Sequence, residues 1–207
     1  MRFNWRPVRP TFRLRAFSLI EAVVAMTVAG LLMTGLTSLL IYALRCLRQF
    51  TAYNTVQQQT LLALQWVGED LSLSNTASMV LAVDSCILGS PCDLRSNPDY
   101  KKFAYSGNDL AYRTWLCYFR NSAGELHRVE QTMGGNFPVG ALPVGTRPAL
   151  AVFTASSGRI VARHLSEFRV TALSTAATVN LAFRVTLAVD STHLTELRTS
   201  THVRVRN

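Results

Sequence analysis

The stretch FSLIEAVVAMTVAGLLMTGLTSLLIYAL, residues 17–44, holds twenty-eight residues with Glu21 as their single charge. About 20 apolar residues suffice for a helix to span a bilayer, and such a run occurs once in the chain. A single-pass protein is therefore expected. A carboxylate carried to the bilayer centre costs about 2.5–3.5 kcal/mol on insertion scales, so Glu21 calls for a physical reason. Upstream, MRFNWRPVRPTFRLRA (residues 1–16) has five arginines and no acid, whereas only Arg45 and Arg48 closely follow the run. That asymmetry predicts a cytoplasmic leader and a C-terminal portion across the membrane. The run is longer than a signal-peptide core and no clear small-residue cleavage signature follows it, so the segment is expected to stay.

The whole chain has 207 residues, 49% hydrophobic and 16% charged, with a formal net charge of +9. Without the leader's five arginines, sixteen basic residues face twelve acidic ones, a balance of only +4. Much of the basicity thus belongs to the leader, which weakens a nucleic-acid role argued from net charge. Beyond Leu44 the sequence continues without proline to Asn75, and Gly68 is its only glycine. Leu61, Leu64 and Leu71, widened by Leu62 and Trp66, recur at helical spacing, with Glu69 and Asp70 expected to face outward. One helix is predicted from about Ser18 to about Ser74, some 57 residues, about 85 Å at about 1.5 Å each. It is apolar all round over 17–44 and amphipathic over 45–74.

Residues 75–207 read as a β-rich domain. SMVLAV (78–83) is a short strand, followed by a loop over 84–107. LAYRTWLCYF (110–119) and ELHRVEQ (125–131) form a hairpin across the turn RNSAG. MGGNFPVGALPVGTRP (133–148) is too rich in Gly and Pro for regular structure, and ALAVFTA, GRIVARHL and EFRVTAL read as strands. The clearest signal is TVNLAFRVTLAV (178–189), where Val179, Leu181, Phe183, Val185, Leu187 and Val189 share one face. A turn leads to LTELRTSTHVRVR, completing a long antiparallel hairpin with one buried side. A long helix packed on an antiparallel sheet is an α+β arrangement.

Four cysteines in an exported domain are compatible with disulfides. Cys86 and Cys92 bracket ILGSP, where Gly89 and Pro91 favour a turn, and a local bridge is expected there. Cys117 is a buried thiol or an alternative partner, and Cys46 sits alone on the helix. No metal-ligand spacing is present. His127, His164, His193 and His202 are dispersed, no Walker, GxSxG or HExxH pattern occurs, and the adjacent Glu69–Asp70 pair is poorly placed for shared acid–base work. No catalytic residues, no cofactor and no enzymatic activity are expected. Arg184, Arg198, Arg204 and Arg206, with Tyr100, Lys101 and Lys102, could grip DNA. Arginines alternating with apolar residues are more often the solvated side of an amphipathic strand.

A basic leader, a small residue and then FSLIEAVVAM opening a long apolar helix resembles the N-terminus of type IV prepilins and type II secretion pseudopilins. The resemblance implies cleavage by a prepilin peptidase between Ala16 and Phe17, and N-methylation of Phe17. It makes Glu21 the fifth mature residue, where the family has its glutamate. Ala16 departs from the glycine usual before the cut. The cleaved Phe17 amine is cationic, and Glu21 can pair with the corresponding ammonium of a neighbouring subunit. Two such charges 4 Å apart attract by roughly 4 kcal/mol at an effective dielectric of 20, before desolvation. The pair thus sets axial register more than affinity. Gly30 and Gly35 can let membrane helices approach, and the resemblance implies that this region loosens in a filament. The β-rich domain, LQWVGEDLSLS and the terminal VRVRN look like the larger minor pilins and the J-class minor pseudopilins. The expected partners are the peptidase, other pilin or pseudopilin subunits, the inner-membrane assembly platform and lipid before assembly. The alternative is an uncleaved, single-pass anchored binding module, or a DNA-binding pilin in DNA uptake.

Overall fold

The computed structural model describes residues 18–92, 103–156, 158–173, 177–188 and 194–205. By its contacts the chain divides into two units, Met1–Leu47 and Arg48–Asn207. One helix, α1 (Leu19–Leu73), begins in the first unit and ends in the second, within a residue of each predicted end. In the first unit its apolar side chains are exposed almost without exception. It is the only helix among the described residues long and apolar enough to cross a membrane. Small hydroxyls interrupt the apolar run without cost, because Thr27, Thr34, Thr37 and Ser38 each donate to a carbonyl three or four residues back.

The second unit is built on two antiparallel sheets. The first contains β1 (Val80–Ala82), β2 (Ser85–Ser90), β4 (Asp109–Arg120), β5 (Leu126–Pro138) and β6 (Arg159–Ala162) in the order β1-β2-β4-β5-β6, with β3 (Ala104–Ser106) also paired to β4. The second contains β7 (Leu165–Ala172), β8 (Thr178–Ala188) and β9 (Leu194–Arg204) in that order. The expected hairpins are present. In β8, Val179, Leu181, Phe183 and Val185 are buried at alternate positions, and the ladder to β9 runs from Thr178↔Arg204 to Ala188↔Leu194 without a bulge. Val189 lies outside the described residues.

The main core joins the end of α1 to one face of each sheet. Val56, Ala63, Val67 and Leu71 meet Cys86, Leu88, Leu116 and Tyr118 from the first sheet and Phe168, Leu181 and Phe183 from the second. The buried stripe of the helix is therefore Val56, Thr60, Ala63, Val67 and Leu71. Leu61 and Leu62, expected on that face, are 57% and 42% exposed. Thr60 and Ala63 are the short members of this stripe, and the Thr60 hydroxyl is satisfied by the Val56 carbonyl at 2.8 Å.

Other corrections concern the first sheet. ILGSP is not a turn: Ser85–Ser90 is strand β2, paired along its length with β4. Met133–Pro138, expected to be irregular, continues β5. ALAVFTA contains a short helix, α2 (Leu150–Thr154), whose Phe153 is fully buried beside Ile87, Trp115, Cys117, Phe119 and Val129. This second cluster covers the sheet face opposite α1, so the sheet is buried on both sides. A brief apolar run has no periodicity that separates strand from helix.

Two turns close the architecture. Asp84, in the left-handed region at φ 59, links the sheets. Its N–H donates to the Phe168 carbonyl at 3.1 Å and its carbonyl accepts the Arg120 N–H at 2.9 Å. Its carboxylate receives Arg120 Nε and Nη2 at 2.9 and 2.7 Å, and the Phe168 N–H at 3.3 Å. Between β4 and β5, Gly124 has φ +75 and its carbonyl accepts the Leu165 N–H at 2.8 Å. A Cβ there would lie 2.8 Å from the Leu165 carbonyl oxygen, so only glycine fits.

Candidate functional site

The first turn of α1 shows how Glu21 is held. The Ser18 N–H donates to Glu21 Oε2 at 3.1 Å, and the Glu21 N–H donates to Ser18 Oγ at 3.3 Å. This reciprocal exchange is a capping box, which satisfies two backbone donors that a helix start leaves without partners. The carboxylate also lies at the positive end of the helix dipole. Both effects favour Glu21 at this point of the chain independently of any second subunit. The pattern S-x-x-E before an apolar run is a sequence signature of this cap.

Ala16 and Phe17, the expected cleavage and methylation residues, lie outside the described residues. Gly30 and Gly35 lie inside α1, which runs unbroken through both, and a Cβ at either would meet nothing within 4 Å. The structure does not join Cys86 to Cys92: Cys86 lies within β2, whereas Cys92, two residues beyond the end of that strand, pairs by a single bridge with Phe103. Cys117 is no substitute partner for Cys86. Cys86 faces α1, whereas Cys117 faces the α2 cluster on the other side of the sheet. Burial raises both thiols, Cys117 to about 12.

Asp70, expected to face outward with Glu69, instead enters a buried charged cluster. Arg128 on β5 donates from Nε to Asp70 Oδ2 at 2.7 Å and to the Tyr118 hydroxyl at 3.0 Å, and also pairs with Glu130. The Tyr118 hydroxyl contacts Asp70 Oδ2 and lies 3.2 Å from the Trp66 carbonyl. Burial, then the Asp70 charge, pushes the Tyr118 phenol well above its ordinary range, so it stays protonated and donates. Arg159 covers the Trp66 ring at 4.6 Å, with Arg128 at 5.8 Å. The cluster joins the end of α1 to β4 and β5, with Asp70 and Arg128 58 residues apart, and no local pattern marks it.

Two of the four arginines considered for DNA, Arg184 and Arg198, are paired with carboxylates. Arg184 and Arg198 face each other across β8 and β9. Arg184 Nε is 3.5 Å from Glu167 and 3.3 Å from Glu196, and Arg198 also pairs with Glu196. Arg204 is at the end of β9, while Arg206, Tyr100, Lys101 and Lys102 are outside the described residues. His127 stacks on Phe119 with centroids 5.2 Å apart, His164 lies between β6 and β7, and His202 is on β9. His193 is outside the described residues.

A family model, the prokaryotic N-terminal methylation motif, matches residues 13–37. The N-terminus is similar to that of type IV pilin-like and pseudopilin chains. In such a chain the motif implies processing by prepilin peptidase and assembly with other pilin subunits. The match spans Ala16, Phe17, Ser18 and Glu21 and ends within α1, so the pilin-like likeness belongs to the helix start. Together the motif and the apolar helix mark a membrane-anchored chain. Neither a curated protein nor a solved structure matches it.

Proposed function

We propose that this chain is a non-enzymatic minor pilin or minor pseudopilin of a type IV pilus or type II secretion-like filament. Prepilin peptidase cuts between Ala16 and Phe17, and the new Phe17 terminus is methylated. The precursor sits in the inner membrane with its leader inside and its β domain outside. On assembly at the inner-membrane platform, the apolar part of α1 leaves lipid for a bundle of like helices, with Gly30 and Gly35 easing the change. Glu21 then pairs with a neighbour's terminal ammonium. The capping box occupies Oε2 and leaves Oε1 to accept it, since a carboxylate offers about four acceptor sites. The observation that carries this reading is the methylation motif heading an unbroken apolar helix whose one early charge is Glu21. The minor role is supported by the long, irregular connections of the β domain, which suit subunit-specific contacts better than repeated tiling.

Mass spectrometry of the natural N-terminus tests the reading. N-methyl-Phe17 is expected, and an intact arginine-rich leader on working protein would sink it. Glu21→Ala is expected to insert normally while filament incorporation falls severalfold. Unchanged incorporation would remove the pairing role.

A further inference from the structure

Among the described residues two long sheet margins of the second unit are open, and only one is regular: the outer side of β5 beyond Arg128 carries Gly134, Gly135 and Pro138. β6, at one edge of the first sheet, has only four residues and a register shift in its pairing with β5. β1, at the other, has three, and the adjoining Val83 bridges to Arg169 on β7. β9 differs from both. It has eleven residues, pairs with β8 on one side alone, carries no bulge and contains neither proline nor glycine. Alternate residues of such an edge turn unpaired N–H and C=O groups outward, a template for another strand. Thr195, Thr199, Thr201 and Val203 are β-branched and favour extended pairing. The core also thins at this margin, where Leu197 and Val203 pack on it but stay only half-buried.

The side chains of β9 match a second β9 in one register. Placed antiparallel about a two-fold axis at Ser200, Leu197 meets Val203 and Thr199 meets Thr201 on the half-buried face. On the outer face Glu196 meets Arg204 twice by symmetry. Arg198 meets His202 and adds no attraction. The register is two-residue periodic, so each face meets its own kind. We propose that β9 is a homotypic docking edge, through which two copies of this chain pair antiparallel about Ser200 and join their three-stranded sheets into one of six strands. An isologous contact of this kind is closed by its own symmetry. The pair is thus a form of the membrane-held subunit that must separate before a polar, head-to-tail filament takes up either copy.

Oxidative cross-linking of the full chain in lipid nanodiscs tests this, in a Cys46→Ser background that removes the exposed helix thiol. Residues directly opposite in an antiparallel pair have Cα atoms about 4.5–5.5 Å apart, inside disulfide range. Ser200→Cys should therefore give at least about tenfold more disulfide dimer than His202→Cys, whose two copies would lie roughly 14 Å apart along the strands. Adding Glu196→Lys to Ser200→Cys should lower the dimer severalfold, and Glu196→Lys with Arg204→Glu should restore it. Equal cross-linking at 200 and 202, or none at 200, overturns the proposal. So does a charge swap that fails to restore the dimer while thermal melting shows it folded.

Discussion

Two carboxylates on α1 are held in place by different partners. Glu21 closes a hydrogen-bonded ring with Ser18 at the helix start, where the backbone itself supplies the donors. Asp70, near the other end, relies on Arg128, whose side chain is 6% exposed. Removing one partner of a buried pair costs about 3–5 kcal/mol, because the other charge is left without compensation. Glu130 still faces Arg128, so Asp70→Ala should fall near the low end, about 3 kcal/mol, read from urea unfolding of the detergent-solubilised chain. Tyr118→Phe removes one hydroxyl and keeps the ring, and should cost about 1 kcal/mol. A loss for Asp70→Ala no larger than that for Tyr118→Phe would show that the cluster does not hold helix to sheet.

Among the elements, the strongly periodic ones were legible and the short ones were not. α1 and the β8–β9 hairpin carry long patterns with matching ends, and both appear where the sequence puts them. β2 was hidden because Gly89 and Pro91 are usually turn residues. Gly89 is there for space: a Cβ would come within 3.0 Å of Ser78 Cβ. Leu61 and Leu62 signal the wrong face of α1, because bulk and apolarity mark a packed stripe only on average and the stripe here includes the small Thr60 and Ala63. The Ser18–Glu21 box was readable, whereas the Asp70–Arg128 cluster depends on contacts 58 residues apart. Turn elements carry their own test. Gly124→Ala puts a side chain at positive φ and against the Leu165 carbonyl, and should destabilise by about 2 kcal/mol or more. Gly134→Ala, also at positive φ but in open space, should cost about 1 kcal/mol. Comparison of the two unfolding midpoints separates the clash from the strain.

At the scale of the molecule, the two units make opposite demands. Residues 19–47 expose apolar side chains that only lipid or other helices can cover, while residues 48–207 bury a core of their own. Within that second unit, Asp84 ties one sheet to the other. Its hydrogen bonds with Arg120, chiefly, hold the carboxyl below its ordinary 3.8. The unfolded chain therefore takes up this proton more readily than the folded one. The stability it contributes is complete above that ordinary value and drains away as pH falls from there through the lower folded value. Asp84→Asn should destabilise the protein at neutral pH, with the difference from wild type shrinking in melts taken from about pH 6 to about pH 3. A constant difference would rule out the titration. The Arg128 grip on Asp70 has one more consequence. It fixes the azimuth of the helix against the strands, so Gln58, Leu61 and Gln65 present a constant flank to any visitor. Each residue turns a helix by about 100°, so a one-residue insertion between Ala63 and Asp70 would leave two pieces of the same buried seam out of phase. Length over this interval is a setting of angle, and evolution can change it only in whole turns.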